Sequence, residues 1–85
     1  MVNYVVIAVH NGVKYSTNIP EDSTRKEFIC IEDAIDEFAS LCISYGKYEK
    51  MSENAEEKEL AELFLVECGS PLDYTMAHKS FMLEK

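Results

Sequence analysis

The sequence predicts an α+β fold: a small antiparallel sheet, formed by an N-terminal β-hairpin and a third strand, packed against two or three helices. Three observations predict it. Two apolar-rich runs flank Asn11-Gly12, a pair suited to the positive φ angles of a type I′ turn. Residues 31–45 repeat apolar groups at helical spacing. Residues 54–68 lie between Asn54 and Gly69, which suit the start and the end of a helix. A chain of 85 residues forms one domain, 1–85, with a core of one or two layers.

The first strand, VNYVVIAVH, is apolar on both faces, as central strands are. The expected second strand, residues 13–19, alternates as an edge strand does. A two-residue turn pairs His10 with Val13, Ala8 with Tyr15, Val6 with Thr17 and Tyr4 with Ile19. That face is assigned to the core, and the opposite face carries Val5, Ile7 and Val9. The two-sided apolar character of strand one calls for a further partner, either Lys26–Ile31 or Tyr74–Leu83. Pro20-Glu21-Asp22-Ser23 reads as a turn.

The first helix is expected over Ile31–Tyr45. Ile31, Ala34, Ile35, Phe38, Ala39, Leu41, Cys42 and Tyr45 share one stripe, and Glu32, Asp33, Asp36, Glu37 and Ser40 lie opposite. Acids in the first turn suit the positive end of the helix dipole, and Gly46 is placed to cap the last turn. A second helix is expected over Asn54–Cys68, polar in its first half and apolar nearly all round in its second. Ser70-Pro71-Leu72-Asp73 reads as the start of a third helix, with Tyr74, Ala77, His78 and Phe81 on one face. The same tail tolerates a strand at Tyr74–Met76 and Phe81–Leu83.

The net charge is −8, with no apolar run long enough to span a membrane. Residues 32–67 hold eleven acids and three bases, so the whole excess belongs to that segment. Direct binding to nucleic-acid phosphates or to anionic lipid is disfavoured by this sign. Glu32, Asp33, Asp36, Glu37, Glu49, Glu53, Glu56 and Glu57 include several like-charged pairs three or four residues apart, each costing a few tenths of a kcal/mol. A solvated helix face is the plain explanation. The functional one is a carboxylate array that engages a basic protein surface, in its extreme form by standing in for nucleic-acid phosphates.

Val5, Ile7 and Val9 form a second candidate, a dimer or docking face if nothing covers them. The remaining candidates point to structure. Cys30, Cys42 and Cys68 are widely spaced, with no paired motif, and read as reduced thiols. His10 and His78 have no cysteine or second histidine at ligand spacing, so no metal is expected. Cys68 at a helix C-terminus lacks the setting of a nucleophile, and Glu67 reads as a rim carboxylate. The three glycines form no phosphate loop, and no Ser/His/Asp ordering suggests a triad.

The sequence therefore predicts a cytoplasmic, non-enzymatic binding protein without cofactor. Its expected role is inhibitor or regulator of a protein with a basic surface, one that itself grips nucleic acid in the mimicry version, with a phage-type anti-defence factor as the model of its kind. The expected mechanism is electrostatic steering followed by burial of apolar or tyrosine anchors. The alternative is a structural or accessory subunit that forms a homodimer through the N-terminal hairpin.

Overall fold

The structure is a computed structural model that describes residues 3–10, 12–13, 23–69 and 72–85. It contains strand β1 (Asn3–Val9), strand β2 (Ser23–Phe28), helix α1 (Ile31–Met51), strand β3 (Lys58–Cys68) and strand β4 (Tyr74–Glu84). The strands form one antiparallel sheet in the order β2-β1-β3-β4, and the helix lies across one face.

β1 is central, as its two-sided apolar sequence requires. Its partner on one side is β2, with Tyr4 opposite Phe28 and Val9 opposite Ser23. β3 pairs on the other, with Asn3 opposite Cys68 and Val9 opposite Glu62. Both edges of β1 are thus occupied, which overturns the expected pairing of Ala8 with Tyr15 and Tyr4 with Ile19. Of the two candidate partners for β1, the segment near Lys26 is correct; the C-terminal segment pairs with β3 instead. Gly12 does hold the positive φ of 69° that the turn signal implied. The rest of the expected second strand, Asn11 of the turn, and the turn at 20–22 lie outside the described residues.

The prediction of two or three helices is wrong, because both later helices are strands. In residues 58–68 the groups facing the helix are Ala61, Leu63 and Leu65, at a period of two. Leu60, Phe64 and Val66 occupy the other face. The sequence is apolar nearly all round because it sits in the middle of a sheet, and its Leu, Ala and Glu content imitates a helix. β4 alternates likewise, with Phe81 and Leu83 buried against the helix. A register shift at Leu65/Val66 interrupts the β3–β4 ladder, and the Ser70-Pro71 start signal lies outside the described residues.

The one helix of the described residues is longer than expected. It continues through Gly46 because Tyr45 and Tyr48 extend the sheet-facing stripe, and it ends at Ser52. Ser52 is fully buried. Its hydroxyl donates to the Tyr48 carbonyl at 2.7 Å and accepts the Glu84 amide at 2.8 Å. The Glu49 carboxylate accepts the neighbouring outward amide, that of Met82, at 2.7 Å. Two side chains at the end of α1 thereby satisfy amides of β4 that its strand partner does not, which covers the last residues of that sheet edge.

The core lies between helix and sheet. Ala8, Val13, Tyr45, Ala61, Leu63, Phe81 and Leu83 form one cluster, and Val6, Ala34 and Leu65 form a second. Phe38 and Leu41 pack against both. Tyr45 stands edge-on to Phe81 and to the buried ring of His10.

Candidate functional site

The topology decides which residues meet. β1 begins where β2 ends, α1 begins just after β2, and β3 ends where β4 begins. The register Tyr4–Phe28, Asn3–Cys68 and Glu67–Tyr74 brings all these points to one end of the molecule. Three large apolar side chains stand there in solvent: Ile29 is 78% exposed, Leu72 81% and Tyr74 68%. Beside Ile29 is an open cavity of about 370 Å³ lined by Asn3, Glu27, Phe28 and Ile29.

The same end is rimmed with carboxylates. Glu32 and Asp33 occupy the first turn of α1, where the helix dipole favours them. Cys30, at the N-cap, makes no side-chain cap; its thiol donates weakly to Glu32 at 3.6 Å. Glu27, Glu67 and Asp73 come from the ends of β2 and β3 and the start of β4. Glu27 has Arg25 at 3.8 Å, both well exposed, a pairing of little strength. Among the described residues, no lysine or arginine forms an ion pair with Asp33, Asp36, Glu67 or Asp73.

The eight acids singled out from sequence therefore do not share one surface. Glu32, Asp33, Asp36 and Glu37 lie in the first two turns of α1, and Glu49, Glu53, Glu56 and Glu57 lie at or beyond its far end. The helix sets the nearest members of the two groups, Glu37 and Glu49, about 18 Å apart along its axis and the outer members farther. Glu37 is half-buried and paired with Lys26 at 3.3 Å. Glu49 is committed to the Met82 amide. Lys58 donates to the Glu53 carbonyl at 3.2 Å, and Lys85 lies 3.8 Å from Glu59, so the far end mixes both signs.

Val5, Ile7 and Val9 do lie on the face opposite the helix, beside Val66, Phe64 and Glu62 of β3. They are not an open strip. Val5 is 1% exposed, Ile7 half-buried, and Val9 41% exposed. His78 stacks on Phe64 with ring centroids 4.5 Å apart, and its Nε2 lies 3.3 Å from Glu62. Because β1 has a strand on either side, a dimer cannot form along its edge.

The thiols show no catalytic setting. Cys42 is half-buried, and loss of solvent raises its pKa against the opposing charge of Lys79. Cys68 closes a strand, so the helix-terminus argument does not apply to it. Among the described residues no group of three His, Cys, Asp or Glu could hold a metal ion. No helix among them is long and apolar enough to cross a membrane.

Sequence reading missed Ile29, Leu72 and Tyr74. Ile29 and Leu72 stand outside the regular elements, where periodicity carries no signal, and only the strand register places them at the same end of the sheet. No protein-family model, no curated protein and no solved structure matches the chain.

Proposed function

We propose that this protein acts by binding a basic surface of another protein, as an inhibitor or regulator, through the end that carries Ile29, Leu72 and Tyr74. One observation carries the reading: exposed Ile29 after β2 and exposed Leu72 and Tyr74 at the start of β4 stand at one end of the sheet, among carboxylates of which Asp33, Glu67 and Asp73 form no ion pair with a lysine or arginine among the described residues. Apolar and aromatic anchors inside a charged rim are the usual anatomy of a protein interface, and the tyrosine is a residue type enriched at binding hot spots. The rim steers a cationic partner, and the anchors then exclude water. The cavity beside Ile29, with Glu27 and Phe28 in its wall, suits the stem and head of a partner's lysine or arginine. Two acid groups divided between the two ends of α1 do not make continuous rows of charge, so phosphate mimicry draws no support from this layout.

Affinity capture at low salt from the source cells tests this with two baits, the wild type and Leu72→Lys/Tyr74→Lys. Both substituted groups are exposed, so the variant keeps its fold. The expected result is a basic protein that the wild type retains, that salt elutes, and that the variant fails to hold. Retention of the same protein by both baits contradicts the assignment of the site.

A further inference from the structure

The outer face of α1 is self-complementary. Ile35 and Ala39, expected on the core-facing stripe, are exposed instead, and at 100° per residue they form with Ile43 one stripe pointing away from the sheet. All three are exposed, Ile35 at 45% and Ile43 at 72%. The stripe continues into charge of opposite sign at its two ends. Glu32 and Asp36 extend it toward the N-terminus, and Lys47 and Lys50 toward the C-terminus; all four are exposed. A solvated helix face has no need of two isoleucines, and an isolated apolar stripe says nothing of its occupant. The charge order does. Turned antiparallel against itself, this face sets Glu32 opposite Lys50 of the second copy and Asp36 opposite Lys47, twice by symmetry. Ile43 then falls against Ala39 of the other helix, a small residue that lets the axes approach.

We propose that the chain forms a two-fold symmetric homodimer through this face of α1, with the helices antiparallel about a point near Leu41. The shallow crossing of bundle-type helix pairs, about 20°, keeps the charged ends within reach of each other, whereas a 50° crossing carries them apart. A twofold interface must be its own complement, and a helix that is acidic in one half and basic in the other meets that condition only in the antiparallel sense. A contact of one helix face lies at the small end of specific interfaces, about 1,000 Å² or less, so the dimer is weak. Its geometry points the two acid-rimmed ends in opposite directions and engages only Glu32 of each rim.

Sedimentation equilibrium from about 5 to 500 µM reads the association directly. The wild type is expected to pass from monomer to dimer across that range, and less readily as salt is raised. Ile43→Lys is expected to remain monomeric throughout, with an unchanged circular dichroism spectrum because the side chain is exposed. Glu32→Lys and Lys50→Glu each replace two attractions by two repulsions and are expected to weaken dimerisation about tenfold. The double variant Glu32→Lys/Lys50→Glu restores opposite charges across the pair and is expected to recover most of the loss. A wild type that is monomeric at the highest concentration overturns the proposal. So does a dimer indifferent to Ile43→Lys, or a charge swap without recovery. Leu72→Lys/Tyr74→Lys leaves dimerisation intact, which keeps this result separate from the proposed partner site.

Discussion

Tyr45 is the largest of the fully buried side chains, yet its hydroxyl has no hydrogen-bond partner among the described residues. It packs edge-on between His10 and Phe81, so its ring does the structural work and its oxygen adds a cost. Burial pushes its pKa well above the ordinary tyrosine value. A tyrosine is neutral when protonated, so only the unfolded chain releases this proton near pH 10. Stability from this group is complete below that pH and falls as the pH rises past it, because the unfolded state then binds fewer protons than the folded one. Tyr45→Phe removes the oxygen and keeps the ring. Chemical denaturation of the two proteins should show similar stability at pH 7, and a smaller loss for the variant between pH 10 and 11. An equal alkaline loss in both would mean that another group is responsible. Glu49 shows the other side of residue-scale reading. In sequence it is one more carboxylate of an acidic array, and in the fold it is the acceptor for the Met82 amide. Nothing in its neighbours along the chain distinguishes the two roles.

At the scale of elements, α1 was legible up to Tyr45, and its end was not. Gly46 looks like a cap because glycine ends many helices, but here the helix continues and an added Cβ would meet Phe81 at 3.9 Å, an ordinary contact. Gly46→Ala should therefore raise stability by about 0.5–1 kcal/mol, through the lower backbone entropy of the unfolded chain. A urea midpoint that falls instead would show that the position is strained or crowded. β3 and β4 were misread for a related reason. Leu60–Val66 are apolar nearly all round, a pattern shared by a buried helix and a central strand, and helix-forming composition with plausible caps points to the helix. What settles it is the partner: β1 needs a second neighbour because both its faces are apolar, and β3 supplies one. That requirement was visible in strand one and was not carried through to residues 60–66. In β4 Phe81 and Leu83 face the helix and Met82 and Glu84 do not, but Lys79 breaks that apolar face, so the period of two is weak beside the Ser70-Pro71 start signal.

At the scale of the molecule, the sequence placed the excess charge in one segment and suggested one surface. The fold divides that segment between the two ends of a long helix. At the far end Lys58 and Lys85 stand among the acids, and the near end holds Asp33, Glu67 and Asp73 together with exposed Ile29, Leu72 and Tyr74. Asp73 and Glu67 were outside the proposed array or assigned a structural part, because they reach this rim only through the β3–β4 pairing. Two ends of comparable acid content thus differ in their cations and in their exposed apolar groups. Stopped-flow association of the captured partner, measured against ionic strength, compares them directly. Asp33→Lys/Glu67→Lys/Asp73→Lys should slow association about tenfold or more at low salt and flatten its salt dependence, while Glu53→Lys/Glu56→Lys/Glu57→Lys should leave both nearly unchanged. Equal effects from the two triple variants, or none from the first, would contradict the assignment of binding to the acid-rimmed end.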